Sequence, residues 1–126
     1  MNNNILDRVL AINWLAERRL RRYGVKAPVC RGRMQLVLDP RARLQFHGRV
    51  VLGVSCLLGE TPQNNVTVIV AHKDGILNLD QMCLGKGSAL RVDVGAELKI
   101  VPHTYIADGS KILAKKSIRI GKNCAI

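Results

Sequence analysis

Along the last third of the chain an aliphatic residue returns at every sixth position: Val94, Ile100, Ile106, Ile112 and Ile118. The register then slips by two, and Ile120 and Ile126 resume the same spacing. A helix of about 3.6 residues per turn would scatter these positions around its circumference. A single long strand could hold them on one face, but the residues between them do not alternate as a strand requires. A six-residue period is instead the signature of a parallel β-helix, in which three short strands make one triangular coil. The pattern predicts that each spaced aliphatic points into the prism and stacks on its equivalent in the next coil. Each such burial contributes roughly 1.5–3 kcal/mol.

Upstream the period changes. Ile5, Val9, Ile12, Ala16 and Leu20 share one face of a helix predicted from Ile5 to Arg22, with Asn4 as N-cap. Arg8, Arg18, Arg19 and Arg22 lie largely opposite, basic residues crowd the last turn, and Gly24 offers a stop. Residues 25–43 read as a basic connector with Pro28, Pro40 and a short strand at Met34 to Leu38. The six-residue rhythm begins at Leu44. Residues 60–65 form a polar loop, Val66 to Ala71 a strand, Lys73-Asp74-Gly75 a turn and Ile76 to Leu79 another strand. The organisation expected is mainly β. An amphipathic helix within residues 1–24 and a connector at 25–43 lead to a left-handed β-helix of about four coils at 44–126, and the helix packs on the solenoid.

The wording of the repeat adds detail. The string aliphatic-Gly-x-x-Ser/Cys-x-aliphatic occurs at Leu52 to Leu58, at Leu84 to Leu90 and at Ile120 to Ile126. Gly suits a tight corner, and a small Ser or Cys fits where walls converge. The second and third copies are 36 residues apart, which equals two coils of three hexads; the first and second are 32 apart, and there the count fails. This pattern resembles the hexapeptide-repeat, left-handed β-helix acyltransferases, and most of all the O-acetyltransferases of surface-polysaccharide biosynthesis. Val101, Leu113 and Lys116 depart from it, standing where small residues or Ser are usual. The resemblance implies a homotrimer, which the cysteines place in the reducing cytoplasm, that transfers an acetyl group from acetyl-CoA to a saccharide acceptor, with a His as general base. In the family the base follows a segment like Ile120 to Ile126 on a loop about half a coil later. Here it would lie beyond Ile126. The chain alone is therefore expected to be inactive, frayed from about Ile118 and prone to self-association.

Composition supports a solenoid. Aromatic residues make up only 3% of the 126, and stacked aliphatics need no large rings. Charged and polar residues interrupt the N-terminus, so it is not read as a secretory signal, and no run is apolar enough to span a bilayer. The four cysteines show no C-x-x-C spacing and read as buried thiols of a reducing compartment. The net charge is +11, of which residues 1–49 carry +8. That excess favours an anionic neighbour. The Ile5 to Arg22 helix could lie on an anionic membrane, or pack its stripe on the solenoid. Few aromatics interleave with the basic residues, which argues against single-stranded nucleic acid.

Three histidines are present. His47 falls in the first, degenerate coil, His72 starts a turn, and His103 lies on the outward side of a hexad near Tyr105. His103 is the candidate base within the chain; coenzyme-binding residues are not identified. The gaps of 25 and 31 residues between them give no close pair for a γ-carbonic-anhydrase type of metal site, and no metal is expected. Gly85-Lys86-Gly87-Ser88 lacks P-loop spacing. A non-catalytic solenoid that binds a partner or membrane through its basic N-terminal part is the alternative.

Overall fold

A computed structural model of the chain describes residues 13–54 and 66–121. One helix, α1 (Trp14–Arg21), is followed by twelve short strands that wind as four coils of three. The first coil holds β1 (Val29–Cys30), β2 (Met34–Leu38) and β3 (Arg43–His47). The second holds β4 (Val51–Val54), β5 (Thr67–Ala71) and β6 (Ile76–Asp80). The third holds β7 (Met82–Gly85), β8 (Ala89–Val92) and β9 (Glu97–Ile100), and the fourth β10 (Thr104–Ile106), β11 (Lys111–Ala114) and β12 (Ser117–Ile120). Every strand pairs in parallel with the strand three places away, so the coils stack into three four-stranded walls, β1-β4-β7-β10, β2-β5-β8-β11 and β3-β6-β9-β12. The chain is a parallel β-solenoid capped by a short helix.

The core is a set of aliphatic columns, one residue per coil. Cys30, Leu52, Leu84 and Ile106 stack inside the first wall, all fully buried. Leu36, Ile69, Leu90 and Ile112 stack inside the second, and Leu44, Leu77, Leu98 and Ile118 inside the third. Phe46, Leu79, Ile100 and Ile120 form a second column in the third wall. Column stacking buries each coil on its neighbours, so stability is a sum of near-neighbour terms.

The columns correct the predicted period. Ile100, Ile106 and Ile112 do point inward, one on each wall, but strands in register between coils are 20 to 22 residues apart, not 18, except across residues 55–65. The corners take the extra residues. Ile100 therefore stacks on Ile120, and Ile118 stacks on Leu98. Val94 falls on a corner and is 67% exposed. Leu84 and Ile120, though 36 residues apart, occupy different walls. The 32-residue gap that seemed irregular is the true repeat: Leu52 pairs directly with Leu84. It is one coil lengthened by residues 55–65, which lie outside the described residues, as do Cys56 and Cys124.

Two boundaries also move. The segment 25–43, read as a connector, supplies β1 and β2 and so belongs to the first coil. Its short strand at Met34–Leu38 is where the sequence placed it, but its alternation of apolar and polar residues was too brief to reveal a wall. The predicted continuous helix is broken at Asn13, which has non-helical torsions and caps α1 by accepting the Ala16 N–H on its side chain. The Asn13 backbone N–H goes instead to Cys30 O at 3.0 Å, and its side-chain amide to Gly32 O at 2.9 Å. Asn4 and the first turns of the predicted helix lie outside the described residues.

Candidate functional site

The sequence singles out His103, and the corner between the third and first walls positions it. Successive coils turn there at His47-Gly48, Asp80-Gln81 and Pro102-His103. Gly48, Gln81 and His103 all take a left-handed φ, of 64°, 40° and 64°. Gly adopts that conformation freely; Gln and His do so at a cost and only where their surroundings hold them. A backbone ladder holds them: the Gln81 N–H donates to His47 O and the His103 N–H to Gln81 O, both at 2.9 Å. The next residue, Thr104, is buried and locks the turn, its hydroxyl lying 3.0 Å from both Val101 O and Gly121 O.

His103 itself is exposed and stands on an open groove of about 320 Å³ lined by Arg49, Val51, Gln81, Met82, Cys83 and Thr104 as well. The groove runs along the outside of the first wall. There Val29, Val51, Cys83 and Tyr105 form an outward column in register, alternating with the buried one. The groove thus joins an imidazole and a guanidinium to an apolar strip ending in a half-exposed tyrosine.

His47 shares this edge with His103, two coils away, with Gln81 between them. His72 does not. It lies at the corner between the second and third walls, in a separate groove of about 440 Å³ with Arg91, Asp93, Val94 and Lys115. Arg91 Nε is 3.2 Å from Asp93 Oδ1 in that groove. Among the described residues no carboxylate accepts a hydrogen bond from any of the three imidazoles, and no three His, Cys, Asp or Glu side chains converge on a point. Arg49, Gln81 and Cys83 went unnoticed in the sequence because a six-residue count does not align them. The Leu52 to Leu84 pairing, extended to Ile106 22 residues later, was the signal that would have done so.

The corner between the first and second walls is structural. Ser88 is fully buried there, as its place in the repeat suggested; its hydroxyl donates to Ala107 O at 2.9 Å and accepts the Ser110 N–H at 3.2 Å. Gly85 is required by close approach, since a Cβ there would lie 2.5 Å from Asp108 N and 2.6 Å from Ile106 O.

The basic N-terminal part is the other candidate. Ala16 and Leu20 of the apolar stripe are buried against the first coil, so the described part of α1 packs on the solenoid. Its contacts are with backbone at the open edge of that coil. Glu17 accepts the Cys30 N–H at 3.1 Å, an Arg19 guanidinium nitrogen donates to Leu36 O at 2.7 Å, and the Tyr23 hydroxyl lies 3.0 Å from Leu38 O. Burial, and secondarily the Glu17 carboxylate, push the Cys30 thiol up to about 12, with Arg31 and Arg21 opposing. No described helix is long and apolar enough to cross a membrane.

Compared with known proteins, the chain matches no family model, no curated protein and no solved structure.

Proposed function

We propose that this solenoid is an acyltransferase module that takes an acetyl group from acetyl-CoA and transfers it to a hydroxyl of a saccharide. The observation that carries the reading is the three-walled parallel stack with its Gly85-to-Ser88 corner, the architecture of the hexapeptide-repeat acyltransferases that the sequence resembles. Fold alone does not fix function, so the chemistry rests on the groove. Among the described residues His103 is the candidate base, and Arg49 beside it suits the phosphates of a nucleotide-bearing thioester. The imidazole would take the acceptor's hydroxyl proton as the oxygen attacks the thioester carbonyl. The C–S bond then breaks and the coenzyme leaves as a thiolate, which is reprotonated. Assembly as a trimer would place a neighbouring wall against the groove.

Calorimetric titration of the full chain with acetyl-CoA tests the reading. Saturable binding that desulfo-CoA competes away and Arg49→Ala weakens is the expected result. No heat of binding up to millimolar donor would overturn it.

A second reading, a non-catalytic solenoid, is favoured by one feature of the site. A general base is ordinarily oriented by a hydrogen-bonded partner, and His103 has none among the described residues. A histidine that merely fills a left-handed corner would be replaceable by Asn or Gly without loss of donor binding or transfer.

A further inference from the structure

Packing of Ala16, Glu17 and Leu20 on the solenoid leaves the opposite side of α1 turned to solvent. That side carries an unusual set of residues. Leu15, Arg18 and Arg22 stand at the i, i+3, i+7 spacing of one helix face, with Trp14 beside them, while Arg19 at its margin turns back to Leu36 O. Trp14 is 62% and Leu15 75% exposed, the two largest apolar exposures on the helix. Arg19 and Arg22 also line an open notch of about 370 Å³ with Tyr23 and Pro40. Arg18 and Arg22 have no ion-pair partner among the described residues. Between residues 13 and 49 there are ten Lys and Arg against two acids.

We infer that this outward face of α1 is a docking surface for an anionic phospholipid bilayer. An exposed tryptophan and leucine inside a field of arginines suit the bilayer interface, where an indole sits at headgroup level and guanidinium groups meet lipid phosphates. A polyanion such as nucleic acid would use the arginines but gives no role to Leu15. A protein partner would not require so one-sided a charge. The orientation is the reverse of the one the sequence suggested. Ala16 and Leu20, the described part of the apolar stripe, are spent on the solenoid, and the basic side, with its two apolar residues, faces the membrane. The inference is independent of acyl transfer.

Trp14 is the sole tryptophan, so it reports on its own surroundings. Vesicles of phosphatidylcholine and phosphatidylglycerol in equal parts are expected to shift its emission to the blue and to carry the full chain through flotation. Vesicles of phosphatidylcholine alone should do neither. Raising the salt should weaken binding, and the double variant Arg18→Glu, Arg22→Glu should weaken it on the order of tenfold or more. Both side chains are exposed, so an unchanged circular dichroism spectrum will show that this variant folds. Leu15→Ala should lower affinity in a way that salt does not reproduce. Equal binding to neutral vesicles, no flotation at low salt, or an emission shift with heparin or duplex DNA but not with vesicles would each overturn the inference. So would complete release by free glycerol phosphate at millimolar concentration, which would mark a small-anion site.

Discussion

The Glu17 carboxylate accepts the backbone N–H of Cys30 at 3.1 Å, and in doing so ties the helix to the first strand of the solenoid. The same oxygen lies 3.3 Å from a guanidinium nitrogen of Arg31, and the other carboxylate oxygen is 3.9 Å from Arg21. Glu17 is only 7% exposed, so this is a charge taken out of water because the open edge of the first coil needs an acceptor.

Replacing Glu17 by Ala leaves the buried Cys30 N–H without its acceptor and removes one of the two acceptors of the Arg31 guanidinium, which still reaches Cys30 O. The expected loss is about 1–3 kcal/mol of unfolding free energy, read by urea denaturation. Glu17→Gln keeps a carbonyl for the Cys30 N–H and should recover part of it. Equal stability of the Ala variant and the parent would show that the helix cap does not depend on this contact.

Of the two described cysteines, Cys30 should resist alkylation in the native state, while Cys83, half-buried on the outer wall, should react before it. The pH dependence follows from the raised thiol. The folded value of about 12 lies above the ordinary 9.0, so the folded state holds this proton more tightly than the unfolded chain. That contribution to stability is complete below about pH 9 and is lost as the pH rises towards 12. The measurement is the difference between the parent and Cys30→Ala, whose stability should fall less steeply there.

Gly85→Ala should be costly and Gly121→Ala close to neutral. The first puts a methyl group against the Asp108 backbone, and the second meets nothing within 4 Å. A loss of about 1–3 kcal/mol at Gly85, against under about 0.5 kcal/mol at Gly121, is expected in thermal unfolding. Similar values at both would mean that the corner yields easily.

Leu98→Ala and Val94→Ala separate the observed columns from the six-residue count. Leu98 stacks between Leu77 and Ile118, fully buried, and its truncation should cost about 2–5 kcal/mol. Val94 belongs to the six-residue series but sits at a corner, so its truncation should cost less than about 0.5 kcal/mol.

Much of the architecture was legible because a solenoid writes itself locally. The return of aliphatics at Ile100, Ile106 and Ile112 marks successive walls, and that is enough to call for a three-sided stack. The stacking partners were not legible. They depend on corner lengths, and a corner such as Pro102-His103 adds residues that carry no hydrophobic signal. Hence the six-residue count puts Val94 inside and aligns Leu84 with Ile120 in place of Leu52 and Ile106. The groove beside His103 was hidden for the same reason, since Arg49, Gln81 with Cys83, and His103 come from three successive coils separated by unequal lengths of chain. The break at Asn13 was hidden too. Its cause is a strand edge that needed hydrogen bonds, and the helical stripe continues across it.

The contacts of α1 with Cys30 and Leu36, and of Tyr23 just after it with Leu38, occupy backbone groups that another strand would need in order to join the first coil. The stack therefore has a direction. A gene duplication that copied one coil could be accommodated anywhere after β1, because each coil presents its successor with the same open ladder. Placed ahead of β1, the copy would have to evict the helix. Lengthening of this molecule over evolutionary time is confined to one side of the cap, and on the first two walls a foreign strand added ahead of β1 or β2 would meet the same obstacle.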